Sequence, residues 1–294
     1  MKNLSTLTQL LAAAPVWATM TLLRLLPLTL ARKITKSLAQ TLGVLLPVSE
    51  HGLRNLRLIF PTQSDKYHRQ ILKKMWKNLG LFAAEQAHLD PHSSFIENLI
   101  IEGEEIITAA KNSGKPVVFI SAHIGNWEVL PFVARRFGLA YAGVYRPANN
   151  RFVDRLFQRS RGSEKAVFIP KGKQGTRQLL AHVRQGKPVG MLIDQRLSHQ
   201  GARLPFLGHE TTVTTTPAEL CLRFKALLIP ACAVRQADGS IKVIIEQSLQ
   251  PGDVPQNLDH AEAVQWLTIA LNKRVEEWIY QYPEQWLWLH RRWR

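Results

Sequence analysis

Hydrophobic and polar positions follow one pattern before residue 100 and another after it. In the second part, short apolar runs alternate with stretches of helical periodicity, which is typical of βαβ units and a largely parallel sheet. The predicted strands cover residues 116–121, 139–145, 166–170, 188–194, 227–234 and 241–247. The predicted helices beside them cover residues 126–137, 150–161, 174–185, 215–224 and 261–280. The expected fold class is α/β, with a mostly parallel mixed sheet flanked by helices.

The N-terminal part begins with a long apolar stretch. Residues 10–31 are mostly Leu, Ala and Thr, and only Pro15, Arg24 and Pro27 interrupt them. As one helix this stretch would span about 33 Å at ~1.5 Å per residue, close to the ~30 Å thickness of a bilayer's hydrocarbon core. A cleaved signal peptide is disfavoured, because no small-x-small site follows the apolar run. A membrane-spanning anchor and a helix lying in the interface both stay open, and the prolines and the arginine favour the second.

The residues after this stretch set the expected topology and domain organisation. Lys and Arg follow the apolar run more densely than they precede it, so we expect the rest of the chain on the cytoplasmic side of a membrane. Helical patterns continue at residues 34–46 and 67–89, and a proline ends a short element at 55–61. We expect membrane-anchoring or interfacial helices over residues 1–45 and one main domain over 46–294.

The composition narrows the class of partner. Lys and Arg number 38 against 22 Asp and Glu, which gives a net charge of +16, while 46% of the residues are hydrophobic. Such a chain is not disordered, and its charge favours nucleic acid, an acidic membrane, an acidic protein or a phosphorylated substrate as partner. Cys221 and Cys232 have apolar neighbours and no metal-ligand spacing, so we expect reduced core residues and a reducing compartment.

A histidine stands just after the predicted strand 116–121. His123 is followed five positions later by Glu128, and the chemistry of α/β proteins usually lies where strands end. An imidazole there can act as general base, a role that contributes ~10²–10⁴-fold to a rate, and a carboxylate on its other nitrogen would fix the tautomer. His92 and Glu97 have the same spacing but no strand before them, so the context and not the spacing selects His123.

The chemistry expected at His123 is acyl transfer to a hydroxyl, with Glu128 as the orienting carboxylate. Gly125 permits a tight turn, and Asn126 is a suitable N-cap for the helix that carries Glu128. The alternative is a structural histidine at a strand end with an incidental carboxylate nearby. Other chemistries lack their motifs: the sequence has no G-x-S-x-G, no G-x-x-x-x-G-K-[ST], no G-x-G-x-x-G after a strand and no zinc spacing.

Basic residues cluster after the next predicted strand. Arg146 ends that strand, and the following helix has a stripe with a four-residue spacing made by Arg151, Arg155 and Arg159. The same positive region includes Arg161, Lys171, Lys173 and Arg177. We interpret the set as a site for phosphates or an acidic carrier protein, the alternative being a solvated helix face.

Two further segments carry candidate polar groups. Asp194 and Gln195 close the predicted strand 188–194, so they should emerge at the same sheet edge as His123 and Arg146, unless Asp194 caps the next turn. Near the C-terminus, Trp286 and Trp288 could form an interfacial belt or a packed terminus, and we favour packing.

Taken together, these segments resemble the late acyltransferases of lipid A biosynthesis, within the wider lysophospholipid acyltransferase superfamily. The resemblance covers most of the chain, and its pieces occur in the family's order. They are the basic-flanked N-terminal anchor, residues 55–61, His123 to Glu128 as an H-x4-E signature, Tyr145-Arg146-Pro147, Asp194-Gln195, residues 204–208 and residues 283–288. The glycerolipid branch typically has aspartate in the signature and a later F-P-E-G block. Glu128 and the absence of F-P-E-G favour the lipid A branch.

The resemblance implies a glycerolipid-acyltransferase-like fold and transfer of a fatty acyl chain to a lipid A precursor at the cytoplasmic face of a bacterial inner membrane. Acyl carrier protein, or coenzyme A, would carry the chain as co-substrate, with no metal or other cofactor and no nucleic acid partner. His123 would be the general base and Glu128 its partner. The substrate-binding residues would be Asn126, Arg146, Arg161, Asp194 and Gln195. Acylation of another membrane acceptor, a lysophospholipid or a glycolipid, stays open, as does a non-enzymatic membrane- or nucleic-acid-binding protein.

Overall fold

The sheet at the centre of the molecule is mostly parallel, as the sequence predicts. A computed structural model describes residues 6–160, 167–196 and 201–293, without the side chains of residues 159, 160 and 173. The main sheet has seven strands in the order β1-β9-β8-β2-β5-β3-β4, and β8 with β9 is its one antiparallel pair. These strands are β1 (Ile100–Glu102), β2 (Val117–Ser121), β3 (Ala142–Tyr145), β4 (Val167–Pro170), β5 (Val189–Leu192), β8 (Leu227–Arg235) and β9 (Ile241–Ile245).

The helices cover both faces of this sheet. Those of the N-terminal part are α1 (Thr6–Leu25), α2 (Leu28–Leu42), α3 (Ser49–Ile59), α4 (Asp65–Ala87) and α5 (Ser94–Glu97). Those of the α/β part are α6 (Glu104–Asn112), α7 (Leu130–Arg136), α8 (Arg151–Ser160), α9 (Lys173–Arg184), α10 (Thr216–Phe224) and α11 (His260–Gln281). β2 is fully buried because its alternate side chains enter two separate apolar cores, one on each face of the sheet.

The fold differs from the prediction in the apolar stretch 10–31 and in elements that no pattern indicated, among them β1 and α6. The apolar stretch 10–31 is not one helix: α1 ends at Leu25 and α2 begins at Leu28, because Pro27 has no backbone N–H to continue the helix. The sequence patterns also missed a separate hairpin of β6 (Ala202–Phe206) and β7 (His209–Val213). Its two-residue turn has positive φ at both Leu207 and Gly208, although leucine is rare at such a position.

The N-terminal helices lie against the body with one side exposed. Among the described residues, α1 is the one helix long and apolar enough to cross a membrane. Exposed apolar residues of α2 recur every four positions, at Leu30, Ile34, Leu38 and Leu42. The opposite side of α2 packs along α4, so this part of the molecule presents an apolar surface that no described residue covers.

Candidate active site

His123 lies just beyond the carboxyl end of β2, and the carboxylate of Asp194 fixes it. The His123 Nδ1 atom is 2.9 Å from Asp194 Oδ1, and the backbone N–H of His123 donates to Asp194 Oδ2 at 3.0 Å. The indole of Trp286 donates to the same Oδ2 at 2.8 Å. With Nδ1–H donated to a carboxylate, a neutral His123 carries its lone pair on Nε2, which is the tautomer that a general base needs.

The partner of His123 is therefore Asp194, and the expectation that Glu128 orients the ring is corrected. Asp194 follows β5, which pairs directly with β2, so the two strand ends bring the carboxylate and the imidazole together. Asp194 is fully buried behind the ring and does not line the cavity, which corrects the expectation that it contacts substrate. Glu128 is buried in the 3-10 turn Trp127–Val129 and lines the same cavity as His123.

The charge on Asp194 is stabilised where it lies. Burial by itself would raise the pKa of the Asp194 carboxyl, but the adjacent His123 and the hydrogen bonds from His123 and Trp286 hold that pKa well below its ordinary value. The carboxylate is therefore ionised over the whole physiological pH range. An ionised Asp194 stabilises the imidazolium that forms when His123 accepts a proton.

Gln195 and His290 complete the surroundings of the imidazole. The Gln195 Nε2 atom lies 3.1 Å from Nε2 of His123 and 3.1 Å from Nε2 of His290. An amide –NH₂ has two hydrogens, so it can donate one to each ring when both rings are neutral. Burial and the adjacent His123 lower the pKa of His290 to about 4, which keeps that ring neutral at physiological pH. Gln195 thus lines the site as expected, whereas the sequence patterns did not single out His290.

The turn that carries His123 is anchored from behind by a buried ion-pair network. Gly125 has φ +56°, and a Cβ there would lie 1.9 Å from the carbonyl oxygen of Ala233, so the turn requires glycine. The Asn126 side chain does not cap the following turn; its amide donates to Glu85 Oε2 at 2.7 Å. Arg32 and Arg235 also bind the Glu85 carboxylate, at 2.7 and 2.6 Å.

This network corrects the expectation that Asn126 binds substrate. Asn126 is fully buried, it does not line the cavity, and it connects the turn after His123 to α4. Glu85 in turn connects α4 to Arg32 of α2, the helix with the exposed apolar stripe. The position of the turn that carries His123 therefore depends on contacts with the N-terminal helices.

A cavity of about 850 Å³ opens beside His123 and Gln195. Its mouth is lined by polar and charged residues that include Arg146, Lys171 and His290. Below them it continues as an apolar region under the sheet, lined among others by Phe119, Leu130, Val133, Ala134, Tyr141 and Ile245. A long apolar chain fits the inner part, and a polar or anionic group fits the mouth.

The predicted basic region is only partly within the cavity. Arg146 lines the mouth, at the sheet edge where it was expected, while Arg151 and Arg155 lie exposed on α8 outside it. Desolvation lowers the pKa of Lys171 at the mouth, and the charge of Asp194 opposes that effect. Arg161 and the side chains of Arg159 and Lys173 lie outside the described residues.

The C-terminal tryptophans are packing residues, as favoured above. Trp286 and Trp288 are fully buried, and their ring centroids lie 4.7 Å apart at an interplanar angle of 81°. The backbone N–H of Leu287 donates to the carbonyl oxygen of His123 at 3.0 Å. The C-terminal segment therefore supports His123 directly. Cys221 and Cys232 are both free and buried, as expected of core residues.

Several known proteins are similar to this chain in sequence. A lipid A biosynthesis palmitoleoyltransferase of Escherichia coli (strain K12) is 26% identical over 246 residues, which cover 81% of this chain and 76% of the relative. A lipid A biosynthesis lauroyltransferase of the same strain is 28% identical with the same coverage. A lipid A biosynthesis acyltransferase of Shigella flexneri is 26% identical, also with that coverage.

A solved structure and a family model complete the comparison. The structure is that of the 1-acyl-sn-glycerophosphate acyltransferase PlsC from Thermotoga maritima, which covers 84% of this chain and 96% of its own at 10% identity. Its TM-score of 0.36 is too low to support an argument about function. The family model, described as bacterial lipid A biosynthesis acyltransferase, matches residues 2–294. The chain is therefore a member of the bacterial lipid A biosynthesis acyltransferase family.

Proposed function

We propose that this protein transfers a fatty acyl chain from acyl carrier protein to a hydroxyl group of a lipid A precursor, with His123 as general base and Asp194 as its orienting carboxylate. The observation that carries the proposal is the His123–Asp194 pair at the mouth of a cavity with an apolar interior. The matched relatives are named for lipid A acylation but for different acyl chains, lauroyl and palmitoleoyl. Their names therefore leave the chain length open.

In the proposed reaction the acyl group moves directly from the sulfur of the thioester donor to the oxygen of the acceptor hydroxyl. The acceptor hydroxyl takes the place of the Gln195 amide at His123 Nε2 and gives its proton to that nitrogen as its oxygen attacks the thioester carbonyl. A carbon–oxygen bond forms and the carbon–sulfur bond breaks. The leaving thiolate then takes the proton from His123, so the enzyme returns to its starting state and no cofactor is consumed. We keep Glu128 among the proposed active-site residues, because its carboxylate belongs to a residue that lines the same cavity as His123.

The positive charges support anionic substrates on both sides of the reaction. Arg146 and Lys171 at the cavity mouth suit the phosphates of a lipid A precursor. Arg151 and Arg155, exposed on α8, suit an acidic carrier protein arriving with the acyl chain. The net charge of +16 increases the rate of encounter with either partner at low ionic strength.

The N-terminal helices support docking at a membrane surface from the cytoplasmic side. α1 is held along the body by hydrogen bonds spaced over its length. They include those from Trp17 Nε1 to the carbonyl oxygen of Phe152, from Asn150 Nδ2 to that of Gln9, and from His88 Nε2 to that of Leu23. A helix that crossed the bilayer would leave most of these partners behind. We therefore favour an interfacial position for α1 and α2, with their exposed leucines in the acyl region.

The proposal is tested with purified full-length protein, two donors and two acceptors. The donors are an acyl carrier protein thioester and the corresponding coenzyme A thioester; the acceptors are a lipid A precursor and a lysophospholipid. We expect transfer to the lipid A precursor with the carrier-protein donor, and a raised KM for that donor in Arg155→Glu. Acylation of the lysophospholipid alone would support the alternative acceptor. Salt-dependent DNA binding without acylation of either acceptor would support the non-enzymatic alternative.

A further inference from the structure

The apolar part of the cavity descends under the sheet from the level of His123. Phe119, on β2, lies four residues before His123, or roughly 13 Å along an extended strand at ~3.3 Å per residue. At this level Phe119 pairs with Gly190 of β5, and Gly190 pairs with Gly143 of β3. All three line the cavity. A linear group that starts at His123 would therefore reach this level with its far end.

Tyr141 lines the cavity at that level. It immediately precedes β3, at the opposite end of the sheet from the catalytic residues, and its ring centroid lies 6.2 Å from that of Phe119. A Cβ on Gly190 would lie 1.8 Å from Tyr141 Oη and 2.3 Å from its Cζ. The tyrosine ring thus occupies the space that a side chain at position 190 would otherwise fill.

The second glycine on this level provides a contrast. A Cβ on Gly143 would lie 3.4 Å from Tyr141 Cε1 and 3.5 Å from Phe168 Cδ1, which is an ordinary van der Waals contact. Both glycines belong to strands, and neither has a positive φ. The two positions therefore differ in one respect that matters for the cavity: only a side chain at position 190 would have to displace the Tyr141 ring.

We propose that Tyr141, seated against Gly190, sets the length of the fatty acyl chain that this enzyme accepts. This inference rests on the proposed function, because it assumes that the carbonyl of the bound chain is held at His123. Each methylene buried in an apolar cavity improves binding by roughly fourfold. A methylene beyond the Tyr141 ring has no space and must force the packing apart. Affinity therefore rises with chain length until the chain reaches Tyr141, and falls beyond that length.

Two substitutions should move the preferred length in opposite directions. Gly190→Ala forces the ring away from β5 into the cavity, so we expect a preference for chains shorter by about two carbons. Tyr141→Ala removes the ring, so we expect longer chains to be accepted at least as well as the original one. Gly252→Ala is the matched control, because Gly252 does not line the cavity and a Cβ there meets no atom within 4 Å, and its preferred length should equal that of wild type. If Gly190→Ala fails to fold, Tyr141→Ala alone decides the direction.

The experiment uses full-length protein and two readouts. Transfer is measured by mass spectrometry of the acylated product with a mixture of donors that differ by two carbons. Binding is measured separately, as the shift in Tm caused by saturated fatty acids that differ by the same step. Opposite shifts in the two variants, with none in Gly252→Ala, support the inference. Retained transfer with an unchanged length profile in Gly190→Ala and Tyr141→Ala would overturn it.

The two readouts also separate this inference from the proposed function. Should wild type transfer no chain while the fatty acid series still shows the opposite shifts, the proposed reaction fails and the length determinant stands. Transfer without any dependence of binding or product on residues 141 and 190 gives the reverse result: the reaction stands and the inference fails.

Discussion

At the scale of single residues, the proposed mechanism depends most on which carboxylate contacts His123. Asp194 contacts Nδ1, whereas Glu128 lies elsewhere on the wall of the same cavity. Asp194→Asn keeps the size of the side chain but removes the charge that stabilises the imidazolium. We expect kcat to fall by roughly 10²–10⁴-fold with a small change in KM. The measurement is steady-state kinetics with the carrier-protein donor.

Glu128→Gln is the comparison for this prediction. The imidazole Nδ1–H resonance in a proton NMR spectrum should move in Asp194→Asn, because its hydrogen-bond acceptor changes, and should stay in place in Glu128→Gln. Wild-type kcat in Asp194→Asn, or movement of that resonance only in Glu128→Gln, would restore the original assignment of the partner.

A second residue-scale prediction concerns His290 and pH. Its pKa is about 4 in the folded protein, against about 6.5 in an unfolded chain. Between these values the unfolded state binds more protons, so the free energy of unfolding falls as the pH drops from about 6.5 to 4. We expect this part of the loss to be of the order of 2–3 kcal/mol, and absent above pH 7.

His290→Asn removes the titrating group and should flatten the pH dependence over that window. His92→Asn, in an exposed loop, is the control and should leave the dependence unchanged. Chemical denaturation at a series of pH values measures both. A slope in His290→Asn equal to that of wild type would contradict the assignment to His290.

The sequence predicts the position of His123 but not all of its neighbours. The strand before His123 is visible as an apolar run, so its place at the sheet edge could be predicted. The carboxylate that contacts the ring could not be predicted, because Asp194 and Glu128 both lie near that edge. Only the pairing of β5 with β2 selects between them. His290 is positioned by the C-terminal segment folding back over the site, and local patterns carry no information on that contact.

At the scale of elements, the buried carboxylate of Glu85 joins its own helix, α4, to three other parts of the fold. It binds Arg32 of α2, Arg235 at the end of β8 and Asn126 of the catalytic turn. Glu85→Ala leaves Arg235, which is nearly buried, without its partner, so we expect the free energy of unfolding to fall by ~3–5 kcal/mol. Activity should fall as well, since Asn126 loses the acceptor that holds the turn.

The control for Glu85 is an exposed ion pair. Glu210 pairs with Arg203 at 3.0 Å across the β6–β7 hairpin, with both side chains largely in solvent. Glu210→Ala should change the free energy of unfolding by less than about 1 kcal/mol. Equal effects of the two substitutions in urea denaturation would show that the Glu85 network contributes no more than a surface pair.

Element prediction succeeded where the periodicity was regular and failed where a local rule was broken. The helix break at Pro27 follows from its missing backbone N–H, but the length of the apolar stretch favours one continuous helix. The hairpin was missed because Pro205 lowers the strand propensity of β6 and because leucine, not asparagine, precedes Gly208 in the turn. Antiparallel pairing and burial on one face compensate for both.

At the scale of the whole molecule, the exposed stripe of α2 predicts how the protein binds membranes. Leu38 and Leu42 are 52% and 55% exposed, and burying a leucine in an apolar phase contributes roughly 1.5–3 kcal/mol. Replacing both with glutamate should weaken binding to vesicles of mixed anionic and zwitterionic phospholipids by at least about tenfold. Vesicle sedimentation of the full-length protein measures the change.

Ile269→Glu is the matched control for the vesicle experiment. Ile269 is 41% exposed, but it lies on α11 rather than on the N-terminal helices. Its substitution should leave vesicle binding unchanged. If Ile269→Glu weakened binding as much as the double substitution in α2, binding would reflect net charge and not a defined apolar face.

The measurement that tests the central claim most directly is mass spectrometry of lipid A from a bacterial host that lacks its own late acyltransferases. The host is complemented with the wild-type chain, His123→Ala or Asp194→Asn, each checked for equal expression and for Tm. The account predicts one added acyl group with wild type and none, or a trace, with either variant. An added acyl group of wild-type abundance in His123→Ala would contradict it.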